Sequence, residues 1–540
     1  MTTTASASPW EELVTSALLG TDRRTPPTGT TPAGKDAPVA LLDAAALHTV
    51  RRRAGLSPAP PAAGGTLPEP APHDGRRALP LPARRRLVQL LADRSGSSGS
   101  GGRRGTAPDL TELLPQWLAA ANERGYQAPA SVLPALLDAA RARTDLRPHA
   151  LTFAGPRGLW LARLNPEWKF ALRGGSAGST LPDMDDTEAV RRLWEEGLFA
   201  ERVALLAGLR AHDAGAAREL LASTWATERA EDRLMFLDSL RAGLSDADEP
   251  FLEQALSDRS RNVRSTAAEL LSALPHSALA GRMAARAASC VAMDRSGGAE
   301  ATIVVEAPHE CDADMQRDGI VPAPPSGRGE RSWWLGQLVE AAPLSVWRDR
   351  LGGRSVREIV ALPVSDGWAD ELHAAWCRAA VRQHDAEWSR ALLGTPAAPP
   401  STGPGTTSPA ERSKLLAALP DGERAAWVAE FIAAHGLSEA FQLLGVCTVP
   451  WAAPLGRAVV DALEIARDAG SYPWSFSGVM GLAERCLSPE EADRLEILTA
   501  TPDEQEDASP GAGGYWSEAF QRLVSTLRLR AAMHEELAAA

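Results

Sequence analysis

The feature that most constrains this chain is the spacing of its apolar residues, which recur at intervals of three and four through most of its 540 residues. Ala230, Leu234, Leu237, Leu240 and Leu244 form one such set, and Val263, Ala267, Leu270, Leu271 and Leu274 form another. Each set lines one helical face with a stripe that has to be buried. Only Thr302-Ile303-Val304-Val305-Glu306, set between Gly297-Gly298 and Pro308, reads as a strand. A single strand cannot stand alone, so a small hairpin inserted among helices is expected there. Aromatics are only 5% of the residues, whereas Ala, Leu, Arg and Glu dominate, a composition suited to packed helices. The expected class is all-α.

Links between the helical stretches are short and carry helix punctuation. Ser245-Asp246-Ala247-Asp248 precedes a helix with Pro250 in its first turn, and Gly20 and Gly394 follow Ala-Leu-Leu as expected C-caps. Short links imply antiparallel neighbours. Many helices with one stripe each, and no sheet to cover it, are best satisfied by stacking helix pairs in a row. Glu249 to Asp258, followed by Asn262 to Leu271, resembles a HEAT repeat: Asp258 closes the turn, Val263-Arg264 opens the second helix, and Ala267 keeps the pair close. An echo in Asp213, Ala217, Arg218, Leu220 and Leu221 lies 45 residues upstream, with one apparently unpaired helix in between. The expected fold is therefore a HEAT-like α-solenoid of antiparallel helix pairs with one small β-hairpin insertion near 300–320.

Composition shifts divide the chain further. A helical region over 1–173 is interrupted by Ser57 to Pro82 and by Ser95 to Pro108, and Gly174 to Asp186 separates it from HEAT-like repeats over 187–300. A hairpin and Pro/Gly-rich loop are expected over 301–330, then a Trp-rich helical region over 331–540 with a linker near 395–409. The Pro-, Ser- and Gly-rich stretches cannot bury enough apolar surface to offset the entropy of ordering them. Ten of the sixteen tryptophans lie from Trp333 onward. Most are expected as core anchors, and Trp333-Trp334 is a candidate for an interaction surface.

The formal net charge is −13, although residues 1–110 are basic through Arg51-Arg52-Arg53, Arg76-Arg77, Arg84-Arg85-Arg86 and Arg103-Arg104. Solvated helix faces and linker explain these clusters better than a nucleic-acid patch, since an acidic body repels phosphate backbones. Lysine occurs only at 35, 169 and 414 among 56 Lys+Arg, a uniform bias that reads as base composition. Five cysteines without any C-x-x-C pair indicate neither a disulfide framework nor a cysteine zinc site, and fit a reducing compartment. No apolar run approaches the ~18 residues a bilayer needs, and no signal-peptide pattern opens the chain, so a cytoplasmic location without membrane contact is expected.

Chemical motifs are sparse. Gly174 to Gly178 matches G-x-S-x-G but lacks the strand before it and the helix directly after it that a nucleophile elbow needs. No phosphate-binding G-x-x-x-x-G-K-[ST] is present. Asp183, Asp185, Asp186 and Glu188 read as helix capping rather than a calcium loop, because Thr187 stands where a further oxygen ligand is required. His373 and Cys377 at i, i+4, with His384 nearby, could chelate zinc but sit among apolar Ala and Trp, and His309, Cys311, Asp312 and Asp314 read as a solvated loop. Thr21-Asp22-Arg23 and Arg317-Asp318-Gly319 are loops that either bind a partner or shape the backbone. The reading assigns no catalytic, cofactor-binding or metal-ligating residue. Its candidate interaction residues are Asp22, Arg23, Arg317, Asp318, Trp333 and Trp334.

Several blocks taken in order resemble an uncharacterised bacterial family, domain-of-unknown-function family 5691. They are Trp10 with Ala17 to Arg23, Asn165-Pro166-Glu167-Trp168, Phe251 to Arg264, Arg317 to Ile320 followed by Gly329 to Leu335, and Gln383 to Leu393. The resemblance implies a HEAT-like helical protein whose relatives are encoded near a SWIM zinc-finger protein, a MoxR-type AAA ATPase and a von Willebrand A-domain protein, with no catalytic residue to carry over. The function expected is that of a non-enzymatic scaffold or adaptor, needing no cofactor, for a protein partner such as that ATPase or A-domain protein. The alternative is a nucleic-acid-binding HEAT-like protein, such as a helical-repeat DNA glycosylase, which a basic concave face with exposed Trp would favour.

Overall fold

The computed structural model of the chain describes residues 9–23, 36–53, 68–92, 107–173, 181–182, 184–296, 301–398, 408–500 and 511–538. Most of the three interruptions expected from sequence (57–67, 95–106 and 399–407) lies outside these residues, as do Arg103, Arg104, Asp183 and the G-x-S-x-G stretch. The described residues form 26 α-helices and two two-stranded sheets, so the chain is predominantly all-α. None of these helices is long and apolar enough to cross a membrane.

The chain divides into two compact units, residues 1–71 and 72–540, so the expected 1–173 region is split at Pro72. In the first unit, α1 (Pro9–Leu19) and α2 (Ala37–Arg53) pack on each other, with Leu13 and Ser16 buried. Gly20 closes α1 with φ +84°, as the Ala-Leu-Leu-Gly sequence predicts.

The second unit opens with β1 (Arg77–Ala78), α3 (Leu81–Ala92), α4 (Leu110–Glu123), β2 (Tyr126–Gln127), α5 (Leu133–Ala142), α6 (Arg147–Leu164) and α7 (Phe170–Arg173). The parallel pairing of β1 with β2 was not legible as a strand pattern, being two residues long. The end of the Ser57 to Pro82 stretch is built rather than looped out. Asp74 pairs with Arg76 at 2.7 Å, and Arg76 donates to the carbonyls of Thr152 and Phe153 just before α6 breaks at Gly155.

The middle of the unit is α8 (Thr187–Glu196), α9 (Phe199–His212), α10 (Ala214–Thr224), α11 (Ala230–Ser239), α12 (Glu249–Ala255), α13 (Arg261–Ser272) and α14 (Ala278–Cys290). Then come β3 (Val291–Asp294), β4 (Thr302–Val305), α15 (Ala313–Arg317), α16 (Glu330–Ala341), α17 (Val346–Arg350), α18 (Val356–Ala361), α19 (Ala369–Arg382), α20 (Ala386–Leu393) and α21 (Pro409–Ala417). The unit ends with α22 (Asp421–Leu444, broken at Gly436), α23 (Ala453–Asp468), α24 (Ser477–Cys486), α25 (Ala492–Glu496) and α26 (Ala512–Ala538). Side-chain caps start many of these helices: Asp213 accepts from the Ala216 N–H, Ser277 from Ala280, Asp385 from Trp388 and Ser408 from Glu411. The hairpin is the one expected around 302–306, but its first strand continues directly from α14, pairing Val291 with Val305 and Asp294 with Thr302.

Packing follows chain order. Contacts run from α9 to α11, α13, α14, α16, α19, α21, α22 and α23, and α26 covers α23, α24 and α25. One apolar core extends without a gap from Val190 to Leu527, so the expected boundaries near 300 and 330 do not separate cores. A second core joins α3 to α6 with Met533 and Leu537 of α26. The helices at the start of this unit therefore pack on its last helix. Arg86 pairs with Glu536 at 2.7 Å there, and the Tyr126 hydroxyl donates to the Leu537 carbonyl.

The HEAT-like segment folds as the sequence predicts: Asp258 lies between α12 and α13 and accepts from the Ser260 N–H, while Val263 and Ala267 are fully buried. The echo at Asp213 is in the opposite register. Because α11 packs on both α9 and α13, these three are successive members of one row, and Asp213 caps a helix of the other row. The true correspondence is 31 residues, from Trp194 to Trp225 and from Arg202 to Arg233. Arg202 lies over Trp194 and pairs with Glu228, and Arg233 lies over Trp225 and pairs with Asp258.

The most buried of these interhelical pairs joins α9 to the turn before α12. Arg210 donates to Asp248 at 2.8 Å and to the carbonyls of Ala242, Ala214, Leu240 and Gly243, and Arg218 reaches the same carboxylate at 3.2 Å. Both Arg210 and Asp248 side chains are fully buried. Burial alone would raise the Asp248 carboxyl, but hydrogen bonds from Arg210, the Ser245 N–H and Arg218 outweigh it and hold the group below the usual carboxylate range. Its stabilising effect is thus complete above the unfolded value of about 3.9 and is lost as pH falls through the lower folded value. Asp248→Ala, which strands a buried guanidinium, should cost about 3–5 kcal/mol in urea unfolding at pH 7. The gap to the parent chain should narrow as pH is lowered below 4.

Candidate functional site

Four of the six candidate residues from the sequence, Arg317, Asp318, Trp333 and Trp334, are brought together at one place. Arg282 and Arg286 stand one turn apart on α14 and converge on Asp318, which follows α15: Arg282 Nη2 is 2.9 Å from Oδ1, and Arg286 Nη1 is 2.6 Å from Oδ2. Arg282 also holds Glu253 of α12 at 3.1 Å, and Arg317 Nε lies 3.8 Å from Asp318 Oδ1. The Asp318 side chain is wholly buried. Burial would raise its carboxyl, yet the two guanidinium hydrogen bonds keep it below the usual range, so it stays ionised and saturated. Asp318 is therefore inaccessible to a partner, whereas Arg317 is exposed.

Gly319 continues the lock. Its φ is +97°, and a Cβ there would stand 2.4 Å from the Cβ of Ala268, so this turn lies directly against α13. The next residues are grasped by α16: Trp333 Nε1 donates to Val321 O and Trp334 Nε1 to Pro322 O, each at 2.8 Å, and Gln337 accepts from the Val321 N–H. Trp334 is buried and Trp333 half-buried, so the expected interaction pair anchors the 320–322 segment instead of facing a partner. Asp22 and Arg23 lie in the other unit, exposed in the turn after α1, where the Arg23 N–H donates to Gly20 O.

This clamp lines a cavity of about 250 Å³ that shares Glu269, Glu340 and Arg382 with a larger groove of about 870 Å³. Sequence reasoning did not find the groove. Its walls come from α13, α16, α19 and α21 and from the turn after α11. Leu244, Leu270, Leu274, Val381 and Leu415 make its apolar surface. Arg241 meets Glu269 through two 3.0 Å bonds, and Glu340 receives Arg378 at 2.6 Å and Arg382 one turn on. The only signal in the sequence was the i, i+4 pair Arg378 and Arg382 with no carboxylate of its own helix placed to serve both. Lys414, exposed on α21, has no ion-pair partner among the described residues.

Of the candidate chelators, Cys377 is buried at the groove and His384 lies beyond α19 with φ +50°. Burial, with a contribution from Glu411, pushes the Cys377 thiol up to about 12, so at neutral pH it carries a proton and is a poor nucleophile. Among the described residues no group of three or more His, Cys, Asp or Glu side chains is placed to hold a metal ion. The groove is chemically a holder: paired charges on its walls, apolar side chains between them, and one unpaired ammonium. If the 319 turn fixes one wall, Gly319→Ala should destabilise the chain by about 1–3 kcal/mol and speed proteolysis within 306–330. Gly327→Ala, with φ +87° but open space around its Cβ, should cost less in the same assays.

No curated protein and no solved structure matches this chain. A family model described as a family of unknown function, DUF5691, matches residues 12–537, nearly the whole chain. Apart from Trp10, the blocks that carried the resemblance, from the Asp22 turn through the clamp to α20, fall within that span, and this chain belongs to the family of unknown function DUF5691.

Proposed function

We propose that this chain is a non-enzymatic adaptor that holds a segment of a protein partner in the groove between α13, α16, α19 and α21. The observation that carries this reading is the balance of the lining. Four cations (Arg241, Arg378, Arg382, Lys414) stand against three carboxylates (Glu269, Glu340, Glu411), and apolar side chains lie between them. A polypeptide supplies both signs of charge and apolar side chains, and successive stacked helices offer it a continuous surface. A polyphosphate backbone needs a basic track, and neither this lining nor the net charge of −13 favours one. That balance supports a protein partner over the nucleic-acid reading.

The partner class comes from the family resemblance: a MoxR-type AAA ATPase or a von Willebrand A-domain protein. All five cysteines are free, which fits work in a reducing cytoplasm.

A tagged copy expressed in its own host should recover such a protein at near-stoichiometric level, and mixing the two purified proteins should shift both elution volumes. Lys414→Glu combined with Val381→Asp should weaken that association at least about tenfold, about 1.4 kcal/mol, without changing the helical circular dichroism. Recovery of no specific protein with unshifted elution overturns the proposal, and nucleic acid in place of protein replaces it.

A further inference from the structure

A second surface lies on other helices, where α24 meets α26, and it does not depend on the groove. Trp474 is 55% exposed and is the only exposed tryptophan among the described residues. Its ring stacks on Tyr472 at 4.1 Å between centroids and meets Tyr515 edge-on at 5.3 Å, with 67° between the planes. The rings are held in place from below, because Trp516 Nε1 donates to the Ser471 carbonyl at 2.6 Å and fixes the loop to α26. Trp474 and Tyr515 wall a notch of about 400 Å³ whose lining includes buried Met480 and Ala519.

The charge in this notch is unusual for the sequence that produces it. Glu518 and Arg522 are spaced i, i+4 with the acid first, the arrangement that pairs best on a helix surface. Arg522 is instead taken by the largely buried Glu484 at 2.8 Å. Glu518, which lines the notch and is exposed, is left with no hydrogen bond or ion pair among the described residues. Tyr515 and Glu518, three residues apart, share one face of α26. Arg522 also lines the notch, but its charge is engaged by Glu484, so two aromatic rings set at an angle and the unengaged Glu518 carboxylate make a cavity with apolar walls and one free negative charge.

We propose that Trp474, Tyr515 and Glu518 form a docking notch for an arginine side chain of a partner polypeptide. A guanidinium can lie flat on the indole face while its edge donates to a carboxylate, a combination that an ammonium, more strongly hydrated and without a plane, makes less well. The notch volume suits one long side chain. Its preformed rings, fixed before binding, lower the ordering cost that an exposed hot spot otherwise carries.

The test uses the full chain carrying 5-fluorotryptophan, with the Trp474 signal identified by its loss in Trp474→Phe. Three capped tripeptides, Gly-Arg-Gly, Gly-citrulline-Gly and Gly-Lys-Gly, are titrated while the ¹⁹F spectrum is followed. The arginine peptide should shift the Trp474 signal saturably, and the citrulline and lysine peptides should bind about fivefold or more weakly. Glu518→Gln should weaken the arginine peptide by about fivefold and leave the citrulline peptide unchanged. Equal response to arginine and citrulline, an unmoved Trp474 signal, or indifference to Glu518→Gln overturns the proposal. A lysine peptide as tight as arginine overturns the assignment of the side chain.

Discussion

The arrangement of the large unit depends on arginine reaching across from one helix to the next. Amphipathic stripes make helices stack, but a stripe of Ala and Leu is tolerant of sliding and rotation, so burial alone leaves open which residue meets which. Here Arg202 to Glu228, Arg233 to Asp258, Arg241 to Glu269, Arg282 to Glu253, Arg382 to Glu340 and Arg522 to Glu484 tie residues 25 to 42 positions apart in the chain. Individual buried pairs add little net stability, because desolvation offsets the attraction. Leaving one partner stranded is costly, however, and that asymmetry penalises every register but the observed one.

This role changes the reading of the arginine excess. From sequence it resembles a base-composition bias, since it is spread evenly along the chain. In the structure many guanidinium groups bond several acceptors at once in ways an ammonium could not match. Arg424 donates to the carbonyls of Leu416, Ala417, Leu419 and Val446, and the buried Arg530 to those of Glu484 and Leu487. Helix ends leave carbonyls without intrahelical donors, and a planar fork with five N–H groups satisfies several of them together. Short links between helices concentrate such carbonyls, which is why arginine suits this architecture whatever first enriched it.

What could be read from the sequence follows from what periodicity encodes. It says which face of a segment is apolar, and the helices over 230–239 and 261–272, the cap at Gly20 and the strand at 302–305 were all legible on that basis. It does not say which element covers a face. The packing of α3 and α4 on α26, more than four hundred positions away, had no local signal beyond the apolar stripes themselves. The 45-residue echo misled because Asp213 and Asp258 both accept backbone N–H groups just ahead of a helix, Asp213 as the cap of α10 and Asp258 in the turn before α13, and such a bond is a local property shared by both rows. The candidate site divides in the same way. Arg317-Asp318-Gly319 and Trp333-Trp334 were legible as special residues, but whether a polar loop binds or merely fastens is decided by burial, and two arginines from α14 bury Asp318.

That density of pairing is also what makes the exceptions informative. Where successive helices join their charges, a charged group left alone in a concavity has lost its natural partner to another contact. Glu518 is such a case, since its i+4 arginine serves Glu484, and Lys414 also stands unpaired among the described residues, beside a groove whose other wall cations are matched. An unpaired surface charge on open ground gains little from any one partner because water screens it. Beside fixed aromatic or apolar walls, water is partly displaced when a ligand enters, and the same charge then discriminates strongly between ligands of opposite and like sign. The ladder that fixes the helices thus also determines, by what it leaves unpaired, where this surface can be selective.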